Sequence, residues 1–309
     1  NLFVEKGQEV VSTRGKKEEW MKSYSTMAPP LVPDLPVAVL IDEQSASASE
    51  IVSGTLQDLD RAIIVGQESF GKGLVQQTKP LAYGTKLKVT VAKYYTPSGR
   101  CVQRLDYSHR DDAGNVHAQA DSTLKTFYTK NGREVIEGRG VIPDVEIPVP
   151  VMSYVLEGLA DNGVLFDFAV QHRDNLVYPS DAAEFDLDEA TWRAFLEYVE
   201  GLENVPYASR TLEAFEVLEA QAKDELLEEI NAPTLATLKK GLSANVSQDL
   251  ERHRVEIERA LNQELVVHLY NTSGEFRHGL RHDPVANRAI ELLESSSSQQ
   301  MPQAELLPL

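Results

Sequence analysis

Residues 36 to 66 constrain the fold most tightly, because two short apolar runs there bracket one helical stretch. "PVAVLID" (residues 36–42) follows the Pro-rich "MAPPLVPDLP", and flanking prolines with β-branched content predict a buried strand. Ile51, Val52, Leu56 and Leu59 then fall on one face at helical spacing. "RAIIVG", ending at Gly66, reads as a second buried strand. A strand, helix and strand this close form a βαβ unit, with a right-handed crossover and a parallel strand pair.

Beyond it, "GLVQQTKPL" and "TKLKVTVAKYYT" read as strands joined by the turn "AYGT". In the second, Lys86, Lys88 and Thr90 alternate with Leu87, Val89 and Val91. "TPSGR" is a turn, residues 104 to 134 form a polar excursion, and "GRGVIPDVEIPVP" is a Pro-broken edge or linker. From about residue 151 the pattern becomes helical. Asp188 is a candidate N-cap before the stripe Trp192, Phe195, Leu196, Val199 and Leu202. Leu235, Leu238, Leu242, Val246 and Leu250 continue at steps of three and four, as do Ile257, Leu261 and Leu265. Asp283-Pro284 starts a last helix. The expected domains are therefore residues 1–150 and 151–309, the second without a catalytic cluster. The tail "SSSSQQMPQAELLPL" has a disordered composition. Its apolar end, Leu306-Leu307-Pro308-Leu309, is expected to pack into an apolar groove of this or a neighbouring molecule.

A formal net charge of -18 repels phosphate backbones and anionic lipid, so nucleic acid is excluded as the expected partner. No apolar run approaches the roughly 18 residues of a membrane span. The single cysteine, Cys101, allows no internal disulfide and reads as an inert core thiol. The opening "NLFVEKGQEVVSTRG" suggests a piece of a longer chain, so localisation stays open.

Chemistry concentrates in "IDEQSASASEIV", residues 41–52, where Ser45, Ser47 and Ser49 alternate with alanines at the strand-to-helix turn. Ser47-Ala48-Ser49-Glu50 fits a capping box. The same helix end, with unpaired N–H groups and a positive dipole, can also stabilise an oxyanion beside a serine nucleophile. Both readings stay open on the residues alone. None of the seven histidines lies in a triad-like motif. A lysine serves as base when apolar surroundings keep it neutral. Lys72 in "ESFGKGLVQQ", between glycines and beside Phe70, Leu74 and Val75, is a candidate, although a lone G-K-G also fits a surface turn. In "HGLRH", His278 and His282 are four apart, a metal pair if helical. Gly279 between them and the want of a neighbouring Cys or carboxylate motif set that reading aside, and no metal is expected.

"SASASEIVSGTLQDLDRAIIVGQESFGKGLVQ", then "VTVAKYYTPSGRCVQ" and "GRGVIPDVEI", resemble the C-terminal processing peptidases, or tail-specific proteases. The resemblance covers roughly residues 1 to 148 with its motifs in order. It implies a serine endopeptidase with a Ser-Lys dyad and no cofactor. The expected fold class is α/β: a partial Clp protease/crotonase-like β-β-α core followed by a mainly α-helical C-terminal domain. Carried over by position, Ser47 is the nucleophile and Lys72, 25 residues later, the general base. Gln76 orients the dyad, and the Ala48 N–H belongs to the oxyanion hole. Ser45 and Ser49 become supporting residues. The implied partners are protein or peptide substrates with apolar C-termini, and a homo-oligomer is one expectation. The implied location is the bacterial cell envelope, in the periplasm.

The sequence departs from that family in showing no PDZ module and no upstream glycine segment for a second oxyanion donor. Weak activity of the chain alone is therefore expected. An exposed sheet edge is expected to pair with another copy or with a segment of the helical half. Two other classes compete: a non-catalytic binding or scaffold member of the fold, and a crotonase-type acyl-thioester enzyme. The second gives Ser47 and Lys72 no role.

Overall fold

The structure is a computed structural model, and it describes residues 1–149, 151–207, 209–225, 228–242 and 245–296. The expected groove for Leu306–Leu309 therefore lies outside the described residues. The chain divides into two compact units: Asn1–Val149 together with the chain from Pro284, and the stretch between them ending at Asp283. No helix among the described residues is long and apolar enough to cross a membrane.

The first unit opens with β1 (Glu9–Gly15), β2 (Lys22–Ser25) and β3 (Ala38–Ile41). Then come α1 (Ala48–Asp58), β4 (Ile63–Gly66), β5 (Leu74–Pro80) and β6 (Lys86–Tyr95). Short strands β7 (Thr126–Tyr128), β8 (Glu134–Ile136) and β9 (Val145–Glu146) complete it. β3 and β4 pair in parallel, Ala38 opposite Ile63, as the βαβ pattern requires, and β9 adds in parallel beyond β4. β5 and β6 form the expected hairpin. It belongs to a larger antiparallel sheet in the order β2-β1-β6-β5. β1 and β2 escape a sequence reading because "EVVSTRG" and "KSYS" lack a sustained apolar alternation.

Ile41, Leu56, Ala62, Ile64, Tyr94, Val102 and Val141 make the small buried core of this unit. Polar ties carry much of the remaining architecture. Asp144 Oδ2 accepts from Ile64 N (2.8 Å) and Oδ1 from Gln57 Nε2 (2.9 Å), fixing the segment before β9 against α1 and β4. Arg100, fully buried, donates to Gln57 Oε1 at 2.7 Å and pairs with Asp58 Oδ1 at 3.0 Å. Buried groups of this kind are stable only where a specific partner replaces water.

The second unit contains α2 (Tyr154–Asp161), α3 (Val164–His172), α4 (Glu189–Glu200) and α5 (Arg210–Asp224). It continues with α6 (Glu228–Leu242), α7 (Val246–Arg252) and α8 (Arg254–His282). Asp188 is the N-cap of α4, its carboxylate accepting from Thr191 N at 2.8 Å. Trp192, Phe195 and Val199 are buried below it, with Leu196 and Leu202 half-buried. Ile257, Leu261 and Leu265 of α8 are fully buried in the same apolar cluster, against Phe168 and Leu159. The stripe Leu235–Leu250 is not one helix face. Asn245 caps a new helix through Gln248 N, so the stripe is split between α6 and α7, and Leu238 is exposed. Asn271 (φ 60°, ψ -171°) divides α8 into two pieces, the second carrying His278 and His282.

A last helix, α9 (Pro284–Ser296), begins at the proline and packs on β3 and β4 in the first unit. No strand pairs with the outer edge of β3 among the described residues. The chain after the helical stretch therefore meets this sheet with a helix and not with an added strand.

Candidate active site

The turn between β3 and α1 is built first by Asp42. Its Oδ1 accepts from Gln44 N (3.1 Å), Ser45 N (2.9 Å) and Ser45 Oγ (2.8 Å), so the Ser45 hydroxyl is committed to the turn. The chain then passes through Ser47 with φ 55° and ψ -108°, an unfavourable conformation for a residue with a side chain. Such strain persists only where the surroundings over-determine it. Here they do.

Glu50 supplies that determination. Its side chain is fully buried. It forms the capping box with Ser47, accepting from Ser47 N at 2.8 Å through Oε2. The same Oε2 accepts from Lys72 N at 2.9 Å, and Oε1 accepts from Gly71 N (2.7 Å) and Ser69 Oγ (2.6 Å). One carboxylate thus ties the serine turn to the "FGKG" loop. Ser69, also fully buried, accepts from Val141 N at 2.7 Å and extends the network.

Tyr94, on β6, closes the other side. Its hydroxyl meets the Lys72 carbonyl at 2.5 Å and the Ser47 carbonyl at 3.2 Å. Burial, and then the neighbouring Glu50 carboxylate, push the Tyr94 phenol above its ordinary value. The glycines flanking Lys72 are required by close approach. A Cβ at Gly71 (φ 84°) would stand 2.5 Å from Arg104 Cβ, and one at Gly73 would stand 2.9 Å from Gln103 N. The segment around 102–104 lies against the loop, Arg104 N donating to Gly71 O and Gly73 N to Gln103 Oε1.

Ser47 and Lys72 are therefore joined through backbone, Glu50 and Tyr94. Their side chains are not joined. Lys72 and Gln76 are exposed, and among the described residues no hydrogen bond links Ser47 Oγ, the Lys72 amine and the Gln76 amide. The apolar enclosure expected around Lys72 does not form, since Phe70 is itself 42% exposed and Leu74 and Val75 are half-buried. Ala48, first residue of α1, is exposed, and its N–H has no partner among the described residues, as befits a helix start. Ser49 is exposed, and its carbonyl accepts from Ser53 Oγ. Cys101 is buried, and burial pushes its thiol up, which suits an inert core residue. No cluster of metal-ligating side chains lies at this site among the described residues.

Glu50 was legible in the sequence only as a helix cap. Its contacts with Ser69, Gly71 and Lys72 come from residues about twenty positions away, which no local pattern announces.

Residues 1–107 match the family described as Peptidase family S41, and residues 155–293 match the Probable PDZ-protease, C-terminal helical domain. A "Carboxy-terminal-processing protease" of Bartonella bacilliformis is 50% identical over 105 residues, covering 34% of this chain and 24% of the relative. A "Carboxyl-terminal-processing protease" of Picosynechococcus is 43% identical over 98 residues, or 32% and 23% of the two chains. The chain spans about a quarter of the length of these relatives. Among solved structures, a photosystem II D1 C-terminal processing protease aligns at 27% identity and a TM-score of 0.33. The alignment covers 47% of this chain and 28% of that one. The S41 match includes Ser47, Glu50, Ser69, Lys72 and Tyr94, while Val141, which donates to Ser69, lies beyond it.

Proposed function

We propose that the first unit is the catalytic part of a serine endopeptidase acting near the C-termini of protein substrates. The observation that carries this reading is the strained Ser47, held at a helix N-terminus by the same buried carboxylate that fixes the Lys72 backbone. A structural cap alone has no need of that second tie.

In this reading Ser47 Oγ attacks the scissile carbonyl carbon while its proton passes to the Lys72 amine. The resulting oxyanion receives the Ala48 N–H and the positive end of α1. Lys72 returns the proton to the departing amine, leaving an acyl ester on Ser47. Water, deprotonated by Lys72, then cleaves that ester and restores the serine. Gln76 orients the lysine amine. Catalytic hydrogen bonds are often loose in a site without substrate, and the exposed Lys72 side chain is compatible with closing on Ser47 when a peptide covers it. The substrates proposed are proteins with apolar C-termini, and the proposed setting is the bacterial cell envelope; both rest on resemblance to the processing proteases.

The exposed Lys72 amine, without a hydrogen-bond partner among the described residues, favours one second reading, a non-catalytic binding member of the same fold. Peptidase assays on peptides with apolar C-termini separate the two. Ser47→Ala and Lys72→Arg are each expected to lower turnover by about 10³-fold or more, the second because a guanidinium does not give up its proton. Gln76→Ala is expected to lower it less. Activity surviving Lys72→Arg would overturn the dyad, and a fully inert parent chain would favour the binding reading.

A further inference from the structure

The second unit brings together three side chains that the proposed peptidase chemistry does not use. His278 and His282 stand one turn apart on the last piece of α8, with ring centroids 4.8 Å apart. Asp186 comes from the connection between the short turn Ala182–Glu184 and α4. One ligand atom from each lies within 4.8 Å of the other two. We propose that Asp186, His278 and His282 form a binding site for a divalent transition metal, with Zn²⁺ the best-fitting ion.

The detail that favours a ligand site is how His278 is held. It is buried, and its Nε2 stands 3.1 Å from the Phe185 carbonyl. A carbonyl only accepts, so Nε2 carries the proton and Nδ1 keeps the lone pair. A ligating histidine ordinarily gives its second nitrogen to such a carbonyl, which fixes the tautomer and aims the ring. Phe185 immediately precedes Asp186, so one short segment both orients one ligand and supplies another.

The frame is fixed independently of any ion. Arg277 Nη2 reaches Asp181 Oδ2 at 3.2 Å, and Arg281 Nη1 donates to the Ala183 carbonyl at 2.5 Å. With the His278 bond, three side chains of α8 grip residues 181, 183 and 185. Gly274 is required first by Tyr270, whose Cβ would stand 2.2 Å from a Cβ there, and Ala182 of the turn lies close by, its Cβ 3.2 Å from the same point. The ligand atoms are thus presented on a rigid scaffold. Two ligands on a tetrahedral zinc lie about 3.3 Å apart, so capture asks for side-chain shifts on the order of 1 Å.

An ordinary core histidine would explain His278 alone, whose ring packs beside Phe185. It leaves the other two unaccounted for. Asp186 and His282 are both exposed, and Asp186 makes no hydrogen bond or ion pair among the described residues. Two imidazoles and one carboxylate suit Zn²⁺ and its first-row neighbours over Ca²⁺ or Mg²⁺, which prefer all-oxygen sets. Three protein ligands leave a position for water. The bound ion would clip the 182–188 segment to α8.

The test uses the full chain, freed of metal with a chelator and titrated with Zn²⁺ against a chromophoric competitor, and with Co²⁺ followed by its visible bands. The expected result is one tight equivalent and a tetrahedral Co²⁺ spectrum. Asp186→Asn and His282→Gln change exposed residues, so folding is retained and checked by circular dichroism. Each is expected to weaken Zn²⁺ binding by at least about tenfold and to abolish the rise in unfolding temperature that Zn²⁺ gives the parent. His117→Gln, in an exposed His-Asp pair of the other unit, should leave binding unchanged. Absence of a stoichiometric site, or equal affinity in Asp186→Asn and His282→Gln, would overturn the proposal.

Discussion

The two units are held together by different physics. In the first unit, Glu50, Asp58, Ser69, Arg100 and Gln103 are buried among a small apolar core. In the helical unit, the buried polar groups among the described residues are Asp249 and His278, and the rest of the interior is aliphatic and aromatic. A polar interior is directional: each group accepts only partners of the right kind at the right place, and a wrong partner is costly. An apolar interior tolerates exchange as long as volume is kept. The first kind suits a site that must hold a serine backbone in a strained conformation. The second suits a scaffold.

The largest effect should come from Glu50→Gln, almost isosteric and therefore a direct probe of that contrast. The amide keeps one acceptor and turns the other into a donor facing N–H or O–H groups that already donate. Chemical unfolding should show a loss of about 3 kcal/mol or more, with Ser47 reactivity falling as its turn relaxes. A cost below about 1 kcal/mol would place the first unit with the helical one, as a unit held mainly by apolar packing.

The helical unit offers the complementary experiment at Leu261, fully buried in α8. Leu261→Ala should cost about 3 kcal/mol through the cavity it leaves. Leu261→Met, which keeps the volume, should cost less than about 1.5 kcal/mol. Should both cost the same, packing volume would not be what holds that unit.

The smallest effect appears only in alkali. Because burial raises the Tyr94 pKa, the folded chain keeps this proton at pH values where the unfolded chain has lost it. The stabilisation is fully present below the ordinary tyrosine value near 10 and is lost as pH rises above it. Tyr94→Phe should make the alkaline decline in stability shallower. An unchanged slope would assign the decline to other buried phenols such as Tyr207 in the helical unit, whose pKa is also raised by burial.

The sequence by itself determined the elements whose signals are local. The parallel β3–β4 pair, the β5–β6 hairpin, the Asp188 cap and the helix start at Pro284 each follow from hydrophobic period, turn chemistry or capping. Ser47, Glu50 and Lys72 were visible as residues, and the close approach that requires the glycines around Lys72 appeared only in the fold. Tertiary structure decided what those residues do to one another. It joined β1 and β2 to the hairpin, broke the Leu235–Leu250 stripe at Asn245, and left Lys72 exposed. It set Asp186 beside two histidines that are distant in sequence. It also made Glu50 the shared acceptor of two loops. The reason is common to all of these: periodicity encodes which face of an element is apolar, whereas a hydrogen bond or a ligand set depends on which distant backbone arrives within about 3 Å, and packing alone settles that.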